Sequence, residues 1–372
     1  VVNWQGTLEN LAMKQFRDIY RGKRVLVTGH TGFKGSWLCL WLSQLGAEVV
    51  GMSLPTETQP NHWDLLNLES VVQHNLDIRN FPDVARVIKA KQPEIVFHLA
   101  AQPLVRRSYR DPLETWSTNV MGTANVLEAC RQTSRMQAIV VVTTDKCYEN
   151  QEWTWGYRET DRLGGHDPYS ASKAGAELVV ASYRSAFFHA EQAPLLATAR
   201  AGNVIGGGDW SADRLIPDLV RAVAAHESLE IRSPNATRPW QHVLESLSGY
   251  LLLGQQLIEG HRQFEGAWNF GPERSGNQTV AEVLDKLQAQ WPEMQWHQTA
   301  TGQPHEAKWL YLDSAKAQSQ LGWQPVWGLD TTLQKTADWY RAFLDTQILS
   351  SSQQLSQYLE AAKNAQVGWI SV

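Results

Sequence analysis

The first two hundred residues of this chain predict a doubly wound α/β fold, a parallel sheet covered by helices on both faces. Three features predict it. Short apolar runs at Arg24–Thr28, Glu94–Leu99 and Ala138–Thr143 have the continuous character of strands buried from both sides. Segments with helical apolar spacing, Gly35–Leu45 and Leu113–Ser134, alternate with those runs. A glycine-rich turn joins the first run to the first helix.

In chain order, residues 1–22 read as a polar, partly helical N-terminal extension. The first strand, Arg24–Thr28, enters the glycine turn, and Glu48–Met52 is the second strand. Val71–Asn75 reads as a third. Asn80-Phe81-Pro82 opens a helix, with Asn suited to the N-cap and Pro to the first turn. The fourth strand, Glu94–Leu99, precedes the long helix, and Ala138–Thr143 follows as the strongest strand signal. Residues 23–202 therefore read as a dinucleotide-binding domain. Beyond about residue 203 the periodicity weakens, and Gly206-Gly207-Gly208 and repeated prolines punctuate shorter elements. Residues 203–350 read mainly as a smaller C-terminal, substrate-binding lobe whose strands and helices return to the main domain, and 351–372 as a peripheral tail.

The 372 residues carry a net charge of −5 with Lys and Arg scattered, which argues against a nucleic-acid or anionic-membrane partner. Cys39, Cys130 and Cys147 are few and far apart, so neither a disulfide framework nor a metal site is expected, and a reducing cytoplasm fits. No signal sequence or membrane-length apolar run is evident. The 17 tryptophans fit core filling, and those near Gly-rich segments could also stack on a ligand.

Thr28-Gly29-His30-Thr31-Gly32-Phe33-Lys34-Gly35 is G-x-x-G-x-x-G between strand and helix. Such a turn brings backbone close to a pyrophosphate at the positive end of the helix dipole, assigning Gly29, Thr31, Gly32, Phe33 and Gly35 to a cofactor. The acid that usually follows the second strand is absent: that strand runs into Ser53-Leu54, and the first acid is Glu57. Asp77 and Ile78 follow the third strand, where they could hold an adenine.

Tyr169-Ser170-Ala171-Ser172-Lys173 is Y-x-x-x-K on a helical pattern, which places phenol and ammonium on one face. There the cation can lower the phenol's pKa and make it a usable base. Thr144 lies upstream at the carboxyl end of the strongest strand, where active groups of open α/β sheets gather.

With the loop, Thr144, Tyr169 and Lys173 in place, roughly residues 22–345 resemble the extended short-chain dehydrogenase/reductases that modify nucleotide sugars, a Rossmann-type family. Thr143-Thr144-Asp145-Lys146-Cys147-Tyr148 resembles the hallmark of the 4,6-dehydratases, with Lys after Asp as in the CDP-glucose branch. Trp153–Glu159 and Leu163–Tyr169 resemble that branch too. The resemblance implies NAD as cofactor and CDP-glucose as substrate. It implies Asp145 as acid at C6 and Lys146 as C5 base, or else as a cation stabilising the enolate. It also implies cofactor contacts at Leu99-Ala100-Ala101-Gln102, support from Asn119, and diphosphate contacts at Asn203, Arg214 and Arg238. His98 reads as structural. Glu306, Trp268 and Trp309 are candidate pocket residues. A homodimer, or a higher homo-oligomer, through the long helix and the Tyr169 helix is the family habit, and a bacterial surface polysaccharide its usual destination. The alternatives are a dTDP- or GDP-sugar dehydratase, a 4-epimerase, and a non-catalytic cofactor-binding module.

Overall fold

A computed structural model describes residues 13–299 and 309–371. Seven parallel strands form the central sheet, in the order Gly266–Phe270, Leu195–Ala201, Ala138–Val142, Ile95–His98, Arg24–Thr28, Glu48–Ser53 and Val72–Asn75. Side chains alternate across the pleat, so Val25 and Val27 join one core while Leu26 joins the other. Helices Phe33–Gln44, Val243–Ile258, Leu329–Thr346 and Ser351–Asn364 contribute to the first core. Helices Phe81–Lys91, Gly122–Arg131 and Pro168–Ala186 contribute to the second. The doubly wound expectation holds.

Three local features differ from expectation. Asn80 does not cap its helix; its side chain donates to Asp83 instead. The predicted long helix ends at Arg131 and carries a π-turn at Ser117–Met121. The extra residue in that turn rotates the helix locally, and Asn119 lies within it. Most of the tryptophans fill core: Trp37, Trp41, Trp268, Trp323 and Trp339 are fully buried.

After Ala201 the chain builds a smaller lobe. Asn203–Ile205 pairs with Trp240–His242, and Leu229–Ile231 pairs with Trp296–Gln298. Gly266–Phe270 then returns to the edge of the main sheet beside Leu195–Ala201. The tail is not peripheral. Leu355, Tyr358 and Ala362 of the last helix are buried, Lys14–Gln15 pairs with Ile370–Ser371, and Phe16 stacks on Trp369 at 4.9 Å. Residues 14–16 and 355–371 thus pack together over one face of the domain, their aromatic rings covering one another.

Candidate active site

The glycine loop is fixed by close backbone approach. Gly29 has a left-handed φ of +73°, and a Cβ there would stand 2.7 Å from the Ala100 nitrogen; one on Gly35 would meet the Gly29 oxygen at 2.1 Å. Gly32 is exposed and caps the Phe33–Gln44 helix, so the helix N-terminus opens onto the cleft. Thr31 Oγ1 lies 2.7 Å from Ser53 Oγ and donates to the Leu54 carbonyl, joining the loop to the end of the second strand. Glu57 does not face a ribose site freely, because Arg107 Nη1 donates to both of its oxygens at 3.0 Å. Asp77 is likewise engaged: Arg79 binds both oxygens, and that side-chain hydrogen bond chiefly holds the carboxyl below its ordinary range.

The cleft above the strands' carboxyl ends has a volume of about 1790 Å³. That exceeds the roughly 300–1,000 Å³ of a site for one small ligand, so a dinucleotide and a nucleotide sugar can share it. Its walls include every predicted cofactor and substrate residue except Asn119: the loop, Asp77 and Ile78, Leu99 to Gln102, Asn203, Arg214 and Arg238. Asn119 is buried away from the wall. Its amide oxygen accepts from the Gln102 backbone at 2.8 Å and its N–H groups donate to the Gln102 carbonyl and Ser172 Oγ at 3.1 and 2.9 Å, so it braces the cofactor wall against the Tyr169 helix with both donors spent.

The catalytic candidates converge. Asp167 and Ser170 form a capping box with Pro168 in the first turn, which fixes Tyr169 at the helix start. Thr144 caps the Asp145–Cys147 turn; its hydroxyl donates to Asp145 Oδ1 at 2.9 Å and accepts from the Lys146 backbone. Lys146 Nζ lies 3.4 Å from both Asp145 Oδ1 and Asn203 Oδ1. Asp145 is fully buried behind the wall, and its Oδ2 has no hydrogen-bond partner among the described residues. A Cβ on Gly202 would stand 3.2 Å from that oxygen.

Burial pushes the Tyr169 phenol up to about 12, against the lowering effects of Thr144 and Arg214. The sequence expectation, a phenol lowered by the Lys173 ammonium with help from a positive nicotinamide, concerns the cofactor-bound site. Burial also pulls the Lys173 ammonium down to about 8, while Glu177 supports its charge, and Nζ donates to the Val142 carbonyl at 3.3 Å. The protein thus leaves the site short of the positive charge a tyrosinate needs, which a cationic nicotinamide would add.

Sequence reasoning missed Lys34. It lines the cleft near Lys173, Asp145, Lys146 and Arg214; burial pulls its amine down to about 7, with Arg214 and Lys173 adding to the effect. A cation in the first turn of a helix opposes the dipole, and that mismatch was the available signal. Two pocket candidates fall away: Trp268 is fully buried and donates to the Phe264 carbonyl, and Trp309 lies outside the cleft wall. Glu306 lies outside the described residues. His98 is structural as expected, bound between Thr28 and Thr123.

Fold and site together define an extended short-chain dehydrogenase/reductase. A family model described as GDP-mannose 4,6 dehydratase matches residues 26–336. The chain is 46% identical over 353 residues to a CDP-glucose 4,6-dehydratase of Salmonella typhimurium, covering 93% of this chain and 98% of that one. It is 28% identical to a dTDP-glucose 4,6-dehydratase of Xanthomonas campestris, covering 85% of this chain and 92% of the other. Among solved structures, a UDP-glucose 4-epimerase of Thermus thermophilus in complex with NAD superposes with a TM-score of 0.74 at 25% identity, covering 86% of this chain and 99% of that one. The chain belongs to the nucleotide-sugar 4,6-dehydratase family.

Proposed function

We propose that this protein is an NAD-dependent CDP-glucose 4,6-dehydratase, converting CDP-glucose to CDP-4-keto-6-deoxyglucose and water. The observation that carries the reading is the Thr144-Asp145-Lys146 turn, set at a strand's carboxyl end beside Tyr169 and Lys173 in a cleft roomy enough for both ligands. An epimerase has no use for an acid and a second cation at that point.

The loop Gly29–Gly35 would hold the cofactor's pyrophosphate, Leu99 to Gln102 would wall its nicotinamide half, and Asp77 and Ile78 would take the adenine. Bound NAD would supply the hydride acceptor for C4 of the sugar and the hydride source for C6. Tyr169, polarised by Thr144 and Lys173, accepts the proton of the C4 hydroxyl. The ketone so formed acidifies the C5 hydrogen. Asp145, buried directly behind the part of the wall formed by Thr144, Lys146 and Gly202, supplies the proton for the C6 hydroxyl, which leaves as water while the C5 proton is removed. Lys146 occupies the position of the C5 base; its pairing with Asp145 and Asn203 also suits a fixed cation beside the enolate oxygen. Asn203, Arg214 and Arg238 bind the diphosphate, for which the guanidinium fork is well matched.

A homodimer fits the surface. Leu113, Trp116, Met121 and Leu178 are exposed apolar residues on the long helix and the Tyr169 helix, which pack side by side. Three free, buried cysteines fit a reducing cytoplasm, and among the described residues no helix is long and apolar enough to cross a membrane. A deoxysugar for a bacterial surface polysaccharide is the role proposed for the product. The test is incubation with NAD and each of CDP-, dTDP-, UDP- and GDP-glucose, with alkali-induced absorbance of a 4-keto-6-deoxy sugar as readout. CDP-glucose alone is expected to respond; a C4-epimerised sugar as the only product overturns the reading.

A further inference from the structure

Beneath the catalytic turn lies a buried charge pair that the mechanism above does not use. Glu177 stands one helical turn beyond Lys173 and is 4% exposed; Arg200, on the Leu195–Ala201 strand, is 3% exposed. The guanidinium grips the carboxylate at both oxygens, Nε to Oε1 at 2.9 Å and Nη2 to Oε2 at 2.7 Å. Burying two charges costs several kcal/mol of solvation, so such a pair is weak evidence for stability and calls for another reason to be there.

Its remaining bonds supply that reason, because they reach both ends of the catalytic turn. On the upstream side the Thr143 hydroxyl donates to Glu177 Oε1, one residue before Thr144. On the downstream side Arg200 Nη1 donates to Tyr148 Oη at 2.7 Å, two residues after Lys146, and the guanidinium lies 4.9 Å from the centre of that ring. Tyr148 Oη in turn donates to Asn269 Oδ1 at 2.7 Å, on the strand that returns from the smaller lobe. Thr198 donates to the second Glu177 oxygen at 2.9 Å. Among the described residues the Asp145 side chain bonds only to its neighbours in the turn, Thr144 and Lys146, and the turn's tie on the cleft side is the 3.4 Å contact of Lys146 Nζ with Asn203 Oδ1.

We propose that the Glu177–Arg200 pair is a positioning device for the elimination step, clamping residues 143 and 148 so that Asp145 and Lys146 meet C6 and C5 of the sugar. This deepens the dehydratase reading and rests on it. Oxidation at C4 takes Tyr169 and Lys173, which the helix already holds, and only Thr144 from the turn; loss of water takes both Asp145 and Lys146, so elimination leans on the turn more heavily than oxidation does. Glu177 also supports the charge of Lys173, against the burial that lowers it.

Two variants test this in the full-length protein with NAD and CDP-glucose. Glu177→Gln keeps the shape and removes the charge. Thr143→Val keeps the pair intact and cuts only its upstream link, so it remains informative if the first variant does not fold. In each folded variant kcat is expected to fall about tenfold or more with KM changed less than about twofold. In a single turnover, reduced nicotinamide absorbance should build up transiently, because C4 oxidation then outpaces elimination. Glu177→Gln should also move the alkaline limb of the kcat profile to lower pH, as Lys173 loses the carboxylate that supports its charge. Unchanged kcat in a folded variant overturns the proposal. A loss that merely follows the melting temperature, with no build-up of reduced cofactor, overturns it as well. Wild-type protein that makes no 4-keto sugar removes the dehydratase reading and this inference together; wild-type turnover with indifferent variants removes only the inference.

Discussion

Glu177 and Glu245 are both buried glutamates on helices, and they lie in opposite regions of the molecule with opposite solutions to the same burial. Glu177 sits under the catalytic turn. Burial drives its carboxyl up, but Arg200 and the Thr143 and Thr198 hydroxyls outweigh that and hold it below its ordinary value. Glu245 sits under the closure formed by the chain's C-terminal segments. It accepts from the Trp327 and Val326 backbone nitrogens at 2.7 and 3.0 Å and from Tyr358 Oη at 3.0 Å, with no cation paired to it among the described residues. There burial prevails, and the carboxyl rises from 4.5 to about 7. The difference teaches that neutral donors can place a buried carboxyl where only a formal opposite charge keeps it ionised. The site region spends a full ion pair; the closure region needs only hydrogen bonds.

The sharpest way to break that contrast is to remove each side chain outright. Glu177→Leu leaves the Arg200 guanidinium buried alone and is expected to cost about 3–5 kcal/mol in urea denaturation. Glu245→Leu strands two backbone N–H groups, while the Tyr358 phenol keeps Ser248, at about 1–3 kcal/mol. A larger loss at position 245 than at 177 would reverse the assignment of which carboxylate is charged.

Titration separates the two by sign. For Glu245 the folded-state pKa is raised, so its stabilising contribution is complete below about pH 4.5 and is lost as pH climbs to about 7. A shift of that size is worth on the order of 3 kcal/mol. For Glu177 the folded-state pKa is lowered, so its contribution is present above the unfolded value and is lost as pH falls through the folded one. The stability of wild type relative to Glu245→Gln should therefore decline between pH 4.5 and 7. Relative to Glu177→Gln it should decline only on acidification below about pH 4.5. Parallel slopes, read from denaturation midpoints across pH, would mean that the two environments are alike.

The same contrast shows what a sequence can and cannot display. Four of the sheet's first five strands were legible as largely apolar runs and the edge strand at Val72–Asn75 from its place in the strand–helix alternation, and the loop, Thr144, Tyr169 and Lys173 because each motif is local in sequence. Cleft residues such as Arg214 and Arg238 were reached through the resemblance. The Glu177–Arg200 pair was not legible, since a helix face and a strand 23 residues apart meet only once the sheet is wound. Nor was the closure of the chain ends, where Phe16 lies against Trp369 across nearly the whole chain. Read alone, a Ser/Gln-rich tail looks peripheral, and its buried face emerges only against the aromatic surface of the first helix. Lys34 stood in plain view inside the glycine loop; its role depends on which cations the fold brings around it.

The smallest effect expected is also the most discriminating, because two phenol hydroxyls report on the two carboxylates. Tyr148 Oη receives a bond from Arg200 and gives one to Asn269; Tyr358 Oη gives one to Glu245 at 3.0 Å and lies 3.2 Å from Ser248 Oγ. Replacing either by Phe deletes one oxygen in a buried network and should cost about 1 kcal/mol of stability in each case. Stability alone will therefore not tell the regions apart, and kcat should. Tyr148→Phe frees the downstream end of the catalytic turn and is expected to lower kcat several-fold at unchanged KM. Tyr358→Phe loosens only the C-terminal helix, on the far side of the Val243–Ile258 helix from the chemistry, and should leave kcat within error. Equal kcat in the two variants, at matched melting temperature, would mean that the network beneath the turn is packing and nothing more.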